Sequence, residues 1–181
     1  MEKTELYETF QKGLTSVNGE SYIAKKADVA ATLTKIFQDK DTHEVALVET
    51  PLLKEIGAVD ALKAAGIKVD TDHFRKNAPD DKGGVTEADY GIANLGSIVQ
   101  MKDDIDCRIV ETVSDVYVGI VKLSKIVDTF DDMIAIMAET KPFPKFAGIS
   151  TGPSRTADIE WVGTVGVHGP RQYAVIGVED A

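Results

Sequence analysis

The residue types best suited to bind an anion and move a proton are concentrated in one stretch, residues 146–171. An apolar run at 146–149 predicts a buried strand, and turn-forming residues at 150–153 end it. Consecutive peptide N–H groups in a tight turn past a strand form a concavity that suits an anion. Arg155 adds a guanidinium shaped to hold a carboxylate or phosphate. The expected anion-binding residues are Ser150, Thr151, Gly152, Ser154 and Arg155.

Three titratable side chains follow this turn. Asp158 and Glu160 are two residues apart, so on a strand they would share a face, and paired carboxyl groups can divide acid and base work. His168 lies in a second glycine-rich turn at 166–170 and is the best candidate to transfer a proton. These three residues form the expected catalytic set. No metal site is expected, because their spacing matches no recognised ligand pattern.

Each feature also has a purely structural interpretation. Clusters of Ser, Gly and Pro are usually turns, with Ser154 capping a helix and Arg155 pairing with a surface acid. A carboxylate pair in an acidic chain is usually a solvated or Arg-neutralised edge. A histidine in a turn commonly donates a hydrogen bond to a backbone carbonyl. The residues alone leave both interpretations open.

Two motifs carry a resemblance to a known family. The run TGPSRTADIE at 151–160, followed by GVHGP at 166–170, closely resembles the signature of the lactate-utilisation (LUD) domain family, in its lactate utilisation protein C branch. Residues 84–86, 89–93 and 96–99 resemble the family's central strand pair. The resemblance runs from about residue 84 to residue 181 and adds Asn94 and Ser97 to the expected ligand-binding residues.

The chain departs from the family pattern at two places. Asn94 and Leu95 stand where the family usually has an acidic residue and then Thr, so no carboxylate role transfers to that position. Tyr117 stands where relatives often have His.

The resemblance implies a fold and a function. The implied fold is a three-layer α/β/α sandwich with a mostly parallel sheet, akin to the ribose-phosphate isomerase and CoA-transferase group. Composition and periodicity alone support an α/β fold with a parallel or mixed sheet. The implied function is that of a cytoplasmic subunit in the oxidation of L-lactate to pyruvate, which binds a small anionic metabolite and acts with iron–sulfur oxidoreductase subunits.

Two alternatives belong to other functional classes. A stand-alone isomerase or acyl-transferase of the related fold would need a reacting carboxylate, for which Glu87 and Glu160 are the candidates. A non-catalytic interaction subunit would instead use the signature loop to dock a partner. Whether the chain is an enzyme by itself is left open.

Composition limits the remaining possibilities. The length predicts one domain, residues 1–181, with residues 1–18 as a helical arm. A net charge of −10 opposes binding to nucleic acid. The single cysteine, Cys107, is too few for a four-thiolate cluster, so we expect no cofactor on this chain and iron–sulfur clusters in its partners alone. A polar amino terminus and short apolar runs predict neither a signal peptide nor a membrane segment, and hence a cytoplasmic location.

The elements that would position these residues alternate between strand and helix. Helices are predicted at residues 4–14, 27–37, 60–65 and 128–138, the last with Asp128 as its N-cap. Strands are predicted at residues 20–24, 44–49, 67–69, 91–93, 97–101, 107–112, 116–121 and 172–178, and residues 73–84 are predicted to form a surface loop.

Overall fold

The structure is a computed structural model that describes residues 3–78, 82–157 and 160–179. Its α-helices are α1 Lys3–Ser16, α2 Val29–Asp39, α3 Pro51–Glu55, α4 Ala58–Ala64, α5 Phe74–Asn77, α6 Asp106–Val113 and α7 Phe130–Glu139. Its strands are β1 Glu20–Lys25, β2 Glu44–Leu47, β3 Lys68–Asp70, β4 Gly83–Glu87, β5 Tyr90–Ile92, β6 Ser97–Lys102, β7 Val116–Lys122, β8 Ile126–Val127, β9 Phe146–Ser150, β10 Arg155–Thr156, β11 Thr164–Val165 and β12 Gln172–Glu179.

A six-stranded parallel sheet with the order β1-β12-β7-β4-β2-β3 forms the centre of the fold. Its strands are largely apolar on both faces because other elements cover both sides. In β7, Val118 and Ile120 face one side while Tyr117 and Val121 face the other. The predicted α/β/α sandwich with a mostly parallel sheet is confirmed.

The two faces of the sheet are covered differently. On the first face, α2, α3 and α4 pack a hydrophobic core in which Leu33, Phe37 and Leu62 are fully buried. On the second face, α1 inserts Phe10 and Leu14 beside Tyr117 and Val175. The amino-terminal helix is therefore part of the core.

A second sheet of four strands, in the order β8-β5-β6-β9, also lies on the second face. Ile98 of β6 joins the core beneath it, while Val99 points the other way to Met133 of α7. Strand β9 pairs antiparallel with β6 and forms the edge. The prediction that residues 146–149 form a buried strand is therefore wrong in its burial: they are half-buried or exposed at an edge.

The segment 107–112 is a helix, not the predicted strand. Its β-branched residues favour a strand, but Cys107 and Val110 recur at helical spacing and bury one side of α6 against β4. Tertiary packing thus overrides the local preference.

Two further predictions need correction. The expected loop at 73–84 contains the helical turn α5 and the first residues of β4; residues 79–81 lie outside the described residues. The N-cap of α7 is Thr129 rather than Asp128, because Thr129 and Asp132 form a reciprocal capping box.

The contact between α1 and the turn at 93–96 is unusually close. Gly96 has φ +64°, and a Cβ there would lie 2.5 Å from the carbonyl carbon of Gly13 in α1. Because the backbones touch directly, the end of α1 is held against the β5–β6 turn. This contact positions Ser16, whose carbonyl oxygen accepts a hydrogen bond from Arg155, and Val17, which lines a cleft beside the second sheet.

We predict that Gly96→Ala lowers the free energy of unfolding by about 3 kcal/mol, since it adds left-handed strain and overlap with α1. Gly57→Ala is the matched control: Gly57 also has φ +64° but has open space around it. Strain alone should make that control cost about 1 kcal/mol. Urea denaturation measures both, and equal losses would show that the close approach to α1 contributes nothing.

The helices in the described ranges are all too short or too polar to span a membrane.

Candidate functional site

A cleft of about 720 Å³ lies beside the second sheet and the amino-terminal end of β12. It is lined by Val17, Arg108, Glu111, Thr112, Phe146, Gly148, Ile149, Ser150, Thr151, Gly152, Pro153, Ser154, Arg155, His168, Gly169, Pro170 and Tyr173. The turn predicted to bind an anion therefore lines a cavity. The turn follows the carboxyl end of edge strand β9, which is not the buried strand expected from the sequence.

The pairing of β9 with β6 determines where the turn lies. Because Ser150 is opposite Ile98, the next pair brings Thr151 to Ser97, and their hydroxyl groups form a short hydrogen bond. Gly152 has φ +64°, and a Cβ there would lie 2.8 Å from Val17 Cγ2. The turn is thus held between a buried serine and the end of α1.

Arg155 and His168 lie at the exposed rim of the cleft. The Arg155 Nη2 group donates to the carbonyl oxygen of Ser16 at 3.5 Å. Strand β10 pairs with β11, and Gly166 N donates a hydrogen bond to Ser154 O at 2.8 Å. These contacts bring the chain after β11 back to the cleft, where His168 lies. Two cation-forming side chains therefore border the turn.

Helix α6 supplies a wall that was not expected from the sequence. Arg108 and Glu111 are three residues apart and so share a helix face, and both line the cleft. The Arg108 guanidinium carbon lies 4.8 Å from the centre of the Phe146 ring, a cation–π contact that joins α6 to β9. Helical spacing is the signal that would have found this wall, had the segment not been predicted as a strand.

The inner wall of the cleft contains buried polar atoms without partners. Burial raises the pKa of Glu111, and the nearby hydroxyl groups of Ser150 and Tyr173 oppose part of that shift. Glu111 and Tyr173 are near enough to influence each other's pKa, but Glu111 Oε1 and Tyr173 Oη complete no hydrogen bond of normal geometry within the described part of the chain. Tyr173 is 2% exposed. A buried donor or acceptor left unpaired costs stability, so a further hydrogen-bond partner at these two atoms would be stabilising.

The neighbouring tyrosine, Tyr117, differs from Tyr173 in that its hydroxyl group has hydrogen-bond partners. It lies directly across from Tyr173 in the parallel sheet, with the ring centroids 5.1 Å apart. Its hydroxyl contacts Thr86 Oγ1 at 2.6 Å and accepts from Gln100 Nε2 at 3.2 Å. Tyr117, where relatives often have His, therefore belongs to a buried network.

The other expected site residues are placed differently. Asp158 lies outside the described residues. Glu160 is exposed in a turn with φ +53°, so the strand that would let it share a face with Asp158 is not present at Glu160. Asn94 is exposed beside α1 and, like Glu160, is absent from the described lining of the cleft. Glu87 pairs with Lys122 at 3.8 Å, also away from that lining.

Cys107 is a core residue, and burial raises the pKa of its thiol to about 12. Across residues 3–78, 82–157 and 160–179, no group of three or more His, Cys, Asp or Glu side chains is placed to hold a metal ion.

The family model for the LUD domain matches residues 7–178. The chain belongs to the LUD domain family. A crystal structure of a DUF162 family protein from Deinococcus radiodurans has a similar fold, with a TM-score of 0.69 over 98% of this chain and 99% of that one. At 15% identity, that likeness shows the fold alone.

Several relatives within the LUD family are named lactate utilization protein C. The protein of that name from Macrococcus caseolyticus is 38% identical over 101 residues, which are 54% of this chain and 44% of that protein. The one from Halalkalibacterium halodurans is 24% identical over 185 residues, which are 97% of this chain and 80% of that protein. The first match thus spans less than half of the relative, and the second spans four-fifths.

The two tyrosines of this LUD domain allow a matched stability test. Tyr117→Phe should lower the free energy of unfolding by about 1 kcal/mol or more, because it breaks bonds to Thr86 and Gln100. Tyr173→Phe removes a buried hydroxyl that has no partner, so the free energy of unfolding should stay the same or rise by up to about 1 kcal/mol. Chemical denaturation compares the two. A loss in Tyr173→Phe as large as in Tyr117→Phe would mean that Tyr173 is hydrogen-bonded in solution.

Proposed function

We propose that this LUD-domain chain binds a small anionic metabolite in the cleft as a subunit of a lactate-utilisation system. The observation that carries the proposal is the convergence of the turn at 151–154, Arg155, Arg108 and His168 on one cavity. The guanidinium groups supply positive charge at the rim, and hydroxyl groups and backbone of the turn supply hydrogen bonds. A carboxylate or phosphate is the ligand group that fits this chemistry.

The names of the relatives support the lactate part of the proposal. The reaction we propose for the system is the oxidation of L-lactate to pyruvate in the cytoplasm. That oxidation releases two electrons, and iron–sulfur oxidoreductase subunits are the proposed partners that accept them. Within this chain, the cleft residues bind and orient the anion, and His168 is the proposed proton carrier at the rim.

An isomerase or acyl-transferase function is less well supported. Glu87 and Glu160, its candidate carboxylates, both lie away from the described lining of the cleft. A carboxylate that acts on a bound ligand must lie within hydrogen-bond reach of it, so Glu111, which does line the cleft, would have to take that role in place of the two expected residues.

Arg155→Ala should weaken binding of L-lactate roughly tenfold, because it removes a charge-assisted hydrogen bond at the rim. Isothermal titration of the purified chain with L-lactate and with pyruvate measures this. Arg75→Ala, which changes an exposed arginine on α5, should leave the affinity unchanged. Equal affinities in wild type and Arg155→Ala would contradict an anion site at this turn.

One observation favours a second candidate function, that of an interaction subunit. The segment between β10 and β11 ends in strongly exposed apolar side chains: Trp161 is 94% exposed and Val162 is 61% exposed. Large exposed aromatic residues are typical anchors of protein interfaces. Under this function, the segment docks an iron–sulfur oxidoreductase subunit.

We expect Trp161→Ala to lower co-purification with the iron–sulfur subunit by roughly tenfold or more, since interface tryptophans carry much of the binding energy. Its affinity for L-lactate should stay unchanged. Phe143→Ala is the matched control, because Phe143 is 52% exposed and lies elsewhere on the surface. Undiminished co-purification of Trp161→Ala would contradict docking through this segment.

A further inference from the structure

The cleft has two chemically different sides. Its rim has the exposed side chains of Arg108, Arg155 and His168. Its inner wall has Ser150, Glu111 and Tyr173, of which Tyr173 is 2% exposed. A ligand that fills the cleft therefore meets positive charge at one end and buried hydroxyl and carboxyl groups at the other.

The inner wall is not explained by the packing of the fold. Tyr117, one strand away, shows that this core can pair a buried tyrosine hydroxyl fully, with Thr86 and Gln100. Tyr173 Oη and Glu111 Oε1 complete no such bond in the described ranges. Gln100 Oε1 shares that property, but it lies in the interior and does not line the cleft. Two unpaired polar atoms thus converge on the cavity.

The two sides are close enough for one small ligand to span them. Arg108 and Glu111 lie three residues apart on α6, and side chains with that spacing have Cβ atoms about 5–6 Å apart. Arg108 is held over the Phe146 ring at 4.8 Å, so the positive charge has a defined position on the same helix face as the carboxyl group.

We propose that Glu111 and Tyr173 bind a hydroxyl group of an anionic ligand whose charged end lies at the rim, beside Arg108 and Arg155. The ligand hydroxyl donates a hydrogen bond to Glu111 Oε1, and Tyr173 Oη donates one to the oxygen of that hydroxyl. The inference rests on the proposed function, because it assumes that the anion binds at the rim. It adds the two residues that recognise the hydroxyl group of such a ligand, Glu111 and Tyr173, to the proposed anion site.

The electrostatics of the inner wall agree with a neutral group there. Burial raises the pKa of Glu111, which means that added negative charge at this wall is unfavourable. A second anionic group of the ligand is disfavoured beside the Glu111 carboxyl group, whereas a hydroxyl both donates and accepts. Glu111 and Tyr173 act as specificity residues, since a ligand without the hydroxyl leaves them unpaired.

The test uses two pairs of ligands that differ in hydroxyl groups: L-lactate with propionate, and glycerol 3-phosphate with n-propyl phosphate. Isothermal titration should show that the wild-type chain binds the hydroxylated member of at least one pair about five- to tenfold more tightly, which is the effect of one or two neutral hydrogen bonds. Which pair shows the preference identifies the ligand as a carboxylate or a phosphate.

Tyr173→Phe and Glu111→Gln should each bring the ratio of the two affinities close to one. The affinity for propionate or n-propyl phosphate should stay unchanged. Tyr90→Phe, which removes a hydroxyl on β5 away from the described lining, should keep it. A preference that survives in both cleft variants would overturn this inference, while the loss of affinity for all anions in Arg155→Ala would still uphold the proposed function. Failure of all four probes to bind the wild-type chain would overturn both.

Discussion

The antiparallel pairing of β9 with β6 is the constraint on which the site depends. It places Ser150 opposite Ile98 and so brings Thr151 to the buried hydroxyl of Ser97. A register shift of one residue would turn each of these side chains to the other face of the sheet and would remove the turn from the cleft. The turn then meets Val17 at the end of α1, and Phe146 at the start of β9 meets Arg108 of α6. One edge strand thus joins three separate elements around a cavity.

The regular strands and the turn at 94–96 could be predicted from the sequence because their signals are local. Val116 to Val121 is β-favourable, and Gly96 offers the positive φ that the turn requires. Helix α6 could not be predicted as readily, because Ile109, Val110 and Thr112 are β-branched and their preference is overridden by packing against β4. The same error concealed the cleft wall that α6 forms.

The candidate site was predictable only in part, for a related reason. The motif at 151–155 identifies a turn, but a five-residue strand before it does not say which sheet that strand joins. The argument that Asp158 and Glu160 share a face assumes a strand. Glu160 lies in a turn, so the argument does not apply to it. Tyr173 gives no signal at all in the sequence: within β12 it is an ordinary aromatic strand residue, and only its missing hydrogen bond distinguishes it.

The two faces of the central sheet differ in composition: one is packed with hydrophobic side chains, and the other also contains buried polar groups. The first face, under α2 to α4, is a continuous hydrophobic core whose large side chains are buried. On the second face lie Thr86, Tyr117 and Tyr173, and the unpaired polar atoms of the described chain, Gln100 Oε1, Glu111 Oε1 and Tyr173 Oη, all lie on this side. Unpaired buried groups lower the free energy of unfolding, and the hydrophobic packing on the first face must offset that loss. Glu111 Oε1 and Tyr173 Oη lie at a cavity with arginine side chains at its rim, and the proposed ligand site would give both atoms hydrogen-bond partners.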